Sequence, residues 1–185
     1  MNLELSAKRV EVVRELLPKA AHVVLLVNPS SVATAEALIR ETKAAAVRYE
    51  LRISVLRAST DHEIETAFAA LQELRADTLL ISPDAFLNTR GGKLGGLAVR
   101  HAIPAIAPTP AFASAGGLLA FGSSMPELYR LQGAYVGRIL QGQRPADLPV
   151  QQATKIELVI NLKTAKALGL EIPPTLLARA DEVIE

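Results

Sequence analysis

The sequence predicts an α/β fold, a parallel sheet flanked by helices, and three observations carry that prediction. Short apolar runs recur along the chain, each closed by turn residues. Amphipathic helical patterns fill the gaps between the first three runs. The runs are apolar throughout rather than alternating, as strands are when helices cover both faces of a sheet.

The elements follow in order. MNLELSAKRVEVVRELLP is a charged, amphipathic helical stretch without the apolar core or small-residue cleavage site of a signal peptide, so the chain as written carries no export address. HVVLLV (22–27), LRISVL (51–56), DTLLIS (77–82), IPAIA (103–107) and GLLAFG (117–122) read as strands. Between the first two, Val32, Ala35, Ile39, Thr42 and Ala46 share a helical face. Ile64, Phe68, Leu71 and Leu74 share the next, opened by a capping box of Thr60 and Glu63. A third helix is predicted over roughly 90–101. Ser124 and Glu127 form a second capping box before a helix with Leu128, Leu131, Tyr135 and Ile139 on one side, ending near Gly142. QRPADLPVQQ is an extended connector. KIELVIN reads as a strand, LKTAKALGL as a short helix, and IPPTLLARADEVIE as a Pro-started helical turn.

Composition narrows the function. The chain has 185 residues, half of them hydrophobic, enough for one well-filled core. Lys plus Arg number 20 against 19 Asp plus Glu, a net charge of +1, so no large field draws the chain to nucleic acid or an anionic membrane. The absence of cysteine removes disulfides, thiolate catalysis, a two-cysteine racemase and Cys-ligated metals. No apolar run reaches the ~18 residues of a membrane span.

Catalytic and cofactor motifs fail one by one. LNTRGGKLGGLAV is glycine-rich, but Lys93 precedes Leu94 where a Walker loop needs Ser or Thr, and the paired Gly91-Gly92 and Gly95-Gly96 do not make the dinucleotide spacing. His22, His62 and His101 are isolated and read as surface or edge residues. Gly122-Ser123-Ser124 lacks the second glycine of a nucleophile elbow. Asp84 could end a phosphoacceptor strand, but Asn28-Pro29 replaces the acidic pair such a domain needs. An enzyme using Asp84 and Lys93 is a distant third reading; no catalytic residue, metal or cofactor is called for.

The prolines say more. VVLLVNPSS, TLLISPDAF and PAIAPTPAF each place a proline just past the carboxyl end of a strand, where it stiffens the turn. Ligands of open α/β sheets bind in the crevice outside those ends. The loops Asn28–Ser31, Ser82–Asp84 and Pro108–Phe112 therefore supply the candidate ligand contacts: Asn28, Pro29, Ser30, Ser31, Ser82, Pro83, Asp84, Thr109 and Phe112, with Asn88 nearby. Such groups hydrogen-bond a small polar ligand and make poor catalysts.

Several segments carry a resemblance: ELSAKRVEVVRELLP, VVLLVNP, ISPD, AGGLLAFG, YVGRILQGQRPADLPVQQATKIELVINLKTAKALGL and IPPTLLARADEVI. Together they resemble the C-terminal half of ABC-transporter substrate-binding proteins of the tryptophan- and tyrosine-uptake type. The likeness runs over nearly all of the chain and is most specific from Ile139 to Ile184. It implies one lobe of a type I periplasmic-binding fold plus C-terminal crossing elements, in an exported, periplasmic protein that traps a solute between two lobes and works with an ABC permease. The chain then divides into a second ligand-binding lobe with its leading helix (1–122), a helix and connector that would return to a first lobe (123–153), and a C-terminal strand with helices (154–185). On this reading the chain is a truncated form, and the Leu128, Leu131, Tyr135 and Ile139 face lacks its cover, so that an isolated chain would refold that helix, pair with a second copy through it or aggregate. The small residues of IAPTPAF leave an aromatic ligand without a stacking partner. The alternative is a stand-alone cytoplasmic ligand-sensing or dimeric interaction module that reuses the lobe.

Overall fold

In the computed structural model, which describes residues 2–150 and 155–185, the chain builds one seven-stranded sheet. Its elements are α1 (Asn2–Leu16), β1 (His22–Val27), α2 (Val32–Val47), β2 (Arg52–Arg57), α3 (Asp61–Glu73), β3 (Thr78–Ile81), α4 (Ala85–Asn88) and α5 (Gly91–Arg100). There follow β4 (Ala105–Ala107), α6 (Pro110–Ser114), β5 (Leu119–Ser123), α7 (Met125–Leu140), β6 (Ile156–Asn161), α8 (Leu162–Ala167), α9 (Pro174–Leu177) and β7 (Glu182–Ile184). The strand order is β2-β1-β3-β4-β5-β6-β7. Pairings from β2 through β5 are parallel.

Strand alternation builds a core on each face of the sheet. Val23, Leu25 and Val27 of β1 join Val10, Val13 and Leu16 of α1 and Ala35, Ile39 and Ala46 of α2. Val24 and Leu26 point the other way, to Ile64, Phe68 and Leu71 of α3 and Leu94 and Leu97 of α5. Each such large apolar side chain contributes about 1.5–3 kcal/mol of burial. The Thr60–Glu63 capping box opens α3, both reciprocal bonds present.

The glycine-rich stretch is a helix, not a phosphate loop. A Cβ on Gly95 would meet Ala115 O at 3.0 Å and Phe112 O at 3.1 Å, so the glycine lets α5 lie against the backbone of α6. Lys93 is occupied elsewhere, 2.8 Å from Glu65 and 3.2 Å from Asp61 O. No group of metal-ligating side chains occurs among the described residues.

The last third departs from a simple parallel sheet. KIELVIN forms β6, but it runs antiparallel to β5, with Phe121 opposite Leu158. The tail, read as a helical turn, also contains a strand: β7 pairs parallel with β6, Ile160 opposite Val183. Three residues are too few for a strand period to show in sequence. Asp181 fixes the junction, its carboxylate accepting from Leu158 N at 2.8 Å. The C-terminal strands β6 and β7 thus extend the same sheet as β1–β5.

Between β5 and β6 the chain leaves the sheet. Ser124 N donates to Lys155 O at 2.9 Å, so the excursion departs and returns at one point. It carries α7, none of whose residues is buried, and a 3₁₀ turn at Pro145–Asp147. The connector's residues 151–153 lie outside the described residues. The second capping box is half made: Ser124 accepts from Glu127 N at 3.3 Å, while the Glu127 carboxylate pairs with Arg130 at 2.7 Å.

Candidate ligand-binding site

A cavity of about 280 Å³ opens at the carboxyl ends of β3, β4 and β5. Its lining includes Arg9 from α1, Pro83, Asp84 and Asn88 around α4, Pro108 and Thr109 after β4, Ser123 ending β5, and Met125 and Leu128 of α7. An adjoining hollow shares Asn88, Thr109 and Met125 and is bordered by Lys155 and Glu157 of the returning chain. A larger groove, about 730 Å³, lies at the opposite end of the sheet, beside Ala20, Asp77 and Pro104. It stands before the amino ends of β1, β3 and β4, where such sheets do not bind ligands.

At the rim, two of the expected ligand loops hold each other. Asn28 Nδ2 donates to Asp84 Oδ1 at 3.0 Å, and Asn28 Oδ1 accepts from Ser30 N at 2.9 Å. Asp84 Oδ1 also accepts from Leu87 N at 3.2 Å, capping α4. Asn28 and Asp84 therefore fix the loops after β1 and β3 and set the short helix that ends in Asn88.

Two groups in the cavity wall are less satisfied. Arg9 is 4% exposed. Its Nε donates to Phe121 O at 2.9 Å, and burial pushes the guanidinium down to about 10. No described carboxylate pairs with it. Asn88 Oδ1 is buried without a hydrogen-bond partner. Neither Arg9 nor an unbonded amide follows from turn-residue reasoning, but Arg9 left a trace in the sequence. Leu5, Arg9, Val12 and Leu16 fall at helical spacing, and all four are buried, so a charge stands on the apolar stripe of α1.

Residues 1–184 match the family described as ABC transporter substrate binding protein. The chain belongs to that family. The chain is 26% identical over 164 residues to the tyrosine-binding protein of Clostridioides difficile (strain R20291), covering 89% of this chain and 47% of that one. A conserved domain protein of Vibrio cholerae superposes with a TM-score of 0.85 at 25% identity, over 96% of this chain and 60% of the other. An ABC domain from Streptococcus pneumonia, solved in complex with L-Trp, superposes with a TM-score of 0.85 at 23% identity, over 97% and 60%. That last likeness is one of fold. The chain spans about half the length of the curated relative and 60% of these two solved chains.

The expected ligand contacts sort into three groups. Pro83, Asp84, Asn88 and Thr109 do line the cavity. Asn28 sits behind Asp84, and Pro29, Ser30 and Ser31 lie outside the lining. Ser82 is 3% exposed and faces a small void of about 10 Å³ under α1 and α2. Phe112 must be corrected. It is fully buried in the core beneath α5, because Pro110 starts a helix that turns the ring inward over Gly117. His22 is likewise buried rather than at the surface, its Nε2 2.8 Å from Ser54 Oγ. Leu128, expected on an uncovered face, is half-buried at the cavity's edge.

Proposed function

We propose that the chain forms one wall of the cleft in an ABC importer's substrate-binding protein, capturing a small polar, amino-acid-like solute outside the cytoplasm for the membrane permease. The observation that carries this reading is the cavity at the carboxyl ends of β3–β5, where the polar Asp84, Asn88, Thr109 and Ser123 stand beside the apolar Met125 and Leu128. A relative that binds tyrosine and a fold relative solved with L-Trp support an amino-acid-like ligand. Among the described residues no aromatic side chain lines the cavity, so this wall contributes hydrogen bonds and aliphatic contact, and any stacking partner comes from the opposite lobe.

The excursion carrying α7 is the route to that opposite lobe. Leu131, Tyr135 and Ile139, with Leu128 at the cavity edge, are the apolar face by which the two halves join. In the chain alone, a second copy covers the same face. Half a cleft leaves most of a ligand in water, so the chain alone binds weakly and the closed pair tightly.

Calorimetric titration of L-tyrosine and L-tryptophan tests the reading, with the chain alone and with a two-lobed protein that carries it as its second lobe. The expected result is weak binding to the first and binding at least about a hundredfold tighter to the second. A well-folded two-lobed protein that binds neither of these, nor any other common amino acid, would overturn the ligand class.

A further inference from the structure

The guanidinium of Arg9 is the group in this cavity whose burial lacks an internal explanation. Removing a charge from water costs several kcal/mol unless a partner compensates. Arg9 is 4% exposed, yet among the described residues its hydrogen bonding stops at Nε to Phe121 O, 2.9 Å. Among the described residues neither Nη group has a protein partner and no carboxylate is in ion-pair range. An aliphatic side chain on the same stripe of α1 would pack without that cost.

The one bond that exists is informative. Phe121 lies on β5, two residues before Ser123, which lines the cavity together with Arg9. The strand carbonyl thus holds the guanidinium plane from its Nε edge and leaves the two Nη groups, the fork that matches a carboxylate in two parallel bonds. The second unsatisfied group in the same lining, the Asn88 amide, has a buried Oδ1 with no partner. Asp84 and Asn28 fix the helix that bears it. Arg9 and Asn88 line this one cavity from different elements, α1 and the end of α4.

We propose that Arg9 is the anion receptor of this cleft, gripping a ligand carboxylate through its Nη groups, with the Asn88 amide bonding the polar group next to that carboxylate. The inference rests on the cavity being the ligand site and adds which end of the ligand this wall holds. The ligand's carboxylate supplies the countercharge that the described residues do not. Binding then brings the guanidinium the partner that offsets its burial.

Nitrogen-15 NMR titrations of the 185-residue chain read this directly, because they detect weak binding. The probes are L-tryptophan, tryptamine (no carboxylate) and indole-3-propionate (no amine). The two carboxylates are expected to shift the Arg9 Nε–H resonance, and tryptamine is not. Arg9→Gln, which keeps a donor for Phe121 O, is expected to weaken both carboxylates by roughly 10-fold or more and to leave tryptamine within about twofold. Arg9→Lys is expected to fall between. Should Arg9→Gln not fold, the wild-type Nε–H titration alone decides. If folded Arg9→Gln binds all three probes as the wild type does, the cleft stands and the role of Arg9 falls. The same holds if tryptamine binds as tightly as tryptophan. If no probe moves the Asn88 or Thr109 resonances, the cleft reading falls with it.

Discussion

Two helices of this chain have the same length and a similar amphipathic pattern, and opposite fates. Both α2 and α7 run sixteen residues. In α2, Ala35, Leu38, Ile39, Thr42 and Ala46 are buried; in α7 no residue is. The difference lies in the strand that follows each helix. The strand after α2 is parallel to the one before it, so the helix is a crossover and must lie across the sheet. The strand after α7 is antiparallel to its predecessor, and such a pair needs no crossover, so the helix is free to project. An apolar stripe says that a helix wants cover. The direction of the next strand says whether its own sheet provides it.

Truncation breaks or confirms that contrast most sharply. Leu38, 3% exposed, is expected to cost about 2–5 kcal/mol on replacement by Ala, as buried leucines do. Ile139, 40% exposed, is expected to cost less than about 0.5 kcal/mol in dilute solution. Urea unfolding measures both. Equal losses would mean that α7 is covered as well as α2.

The next test asks what covers α7 when the chain is crowded. If copies pair through Leu131, Tyr135 and Ile139, the melting temperature rises with protein concentration. Leu131→Glu combined with Ile139→Glu should remove that dependence and leave a monomer by sedimentation. A wild-type chain that stays monomeric with a concentration-independent melt would end the pairing proposal.

The same contrast explains how far the sequence could be read. β1 was legible to the residue, His22–Val27, because a continuous apolar run between turns has few other uses. The direction of β6 was not legible, since an apolar strand reads alike both ways. The candidate site was half legible. Proline placement located the loops after β3 and β4, and Pro83, Asp84 and Thr109 do line the cavity. It could not tell a rim residue from a buried one. Phe112 follows a helix-starting proline whose turn points the ring inward, and Asn28 bonds Asp84 from outside the cavity lining. Arg9 lay on a stretch read only as charged and amphipathic, and its place on the buried stripe of α1 is the signal that reading passed over.

Caps offer a finer version of the comparison. Ser124 caps α7 and Thr60 caps α3, and each replaced by Ala loses about 1 kcal/mol of local stability. Because α3 packs on the core, Thr60→Ala should lower the global unfolding midpoint. Because α7 packs on so little, Ser124→Ala should speed amide exchange in the first turns of α7 and leave that midpoint unmoved. A shared drop in midpoint would show that α7 unfolds together with the sheet.

The smallest effect belongs to Glu63, the acidic half of the α3 box, and its sign can be worked out. Hydrogen bonds from Ser59, backbone first, then side chain, and from Thr60 hold this carboxyl below its ordinary 4.5. A group whose pKa is lowered by folding stabilises the protein above its unfolded value, and that contribution disappears as pH falls through the folded one. Glu63→Gln should therefore melt below the wild type at neutral pH, and the gap should close on acidification below 4.5. The charged form also favours the helix's N-terminal dipole, which Gln cannot replace. For Glu127 the prediction differs, because its carboxylate turns to Arg130 instead of its own cap. Glu127→Gln should leave the global melt unchanged across the same pH range. A gap that persists at low pH for Glu63 would assign the box to hydrogen-bond geometry rather than charge.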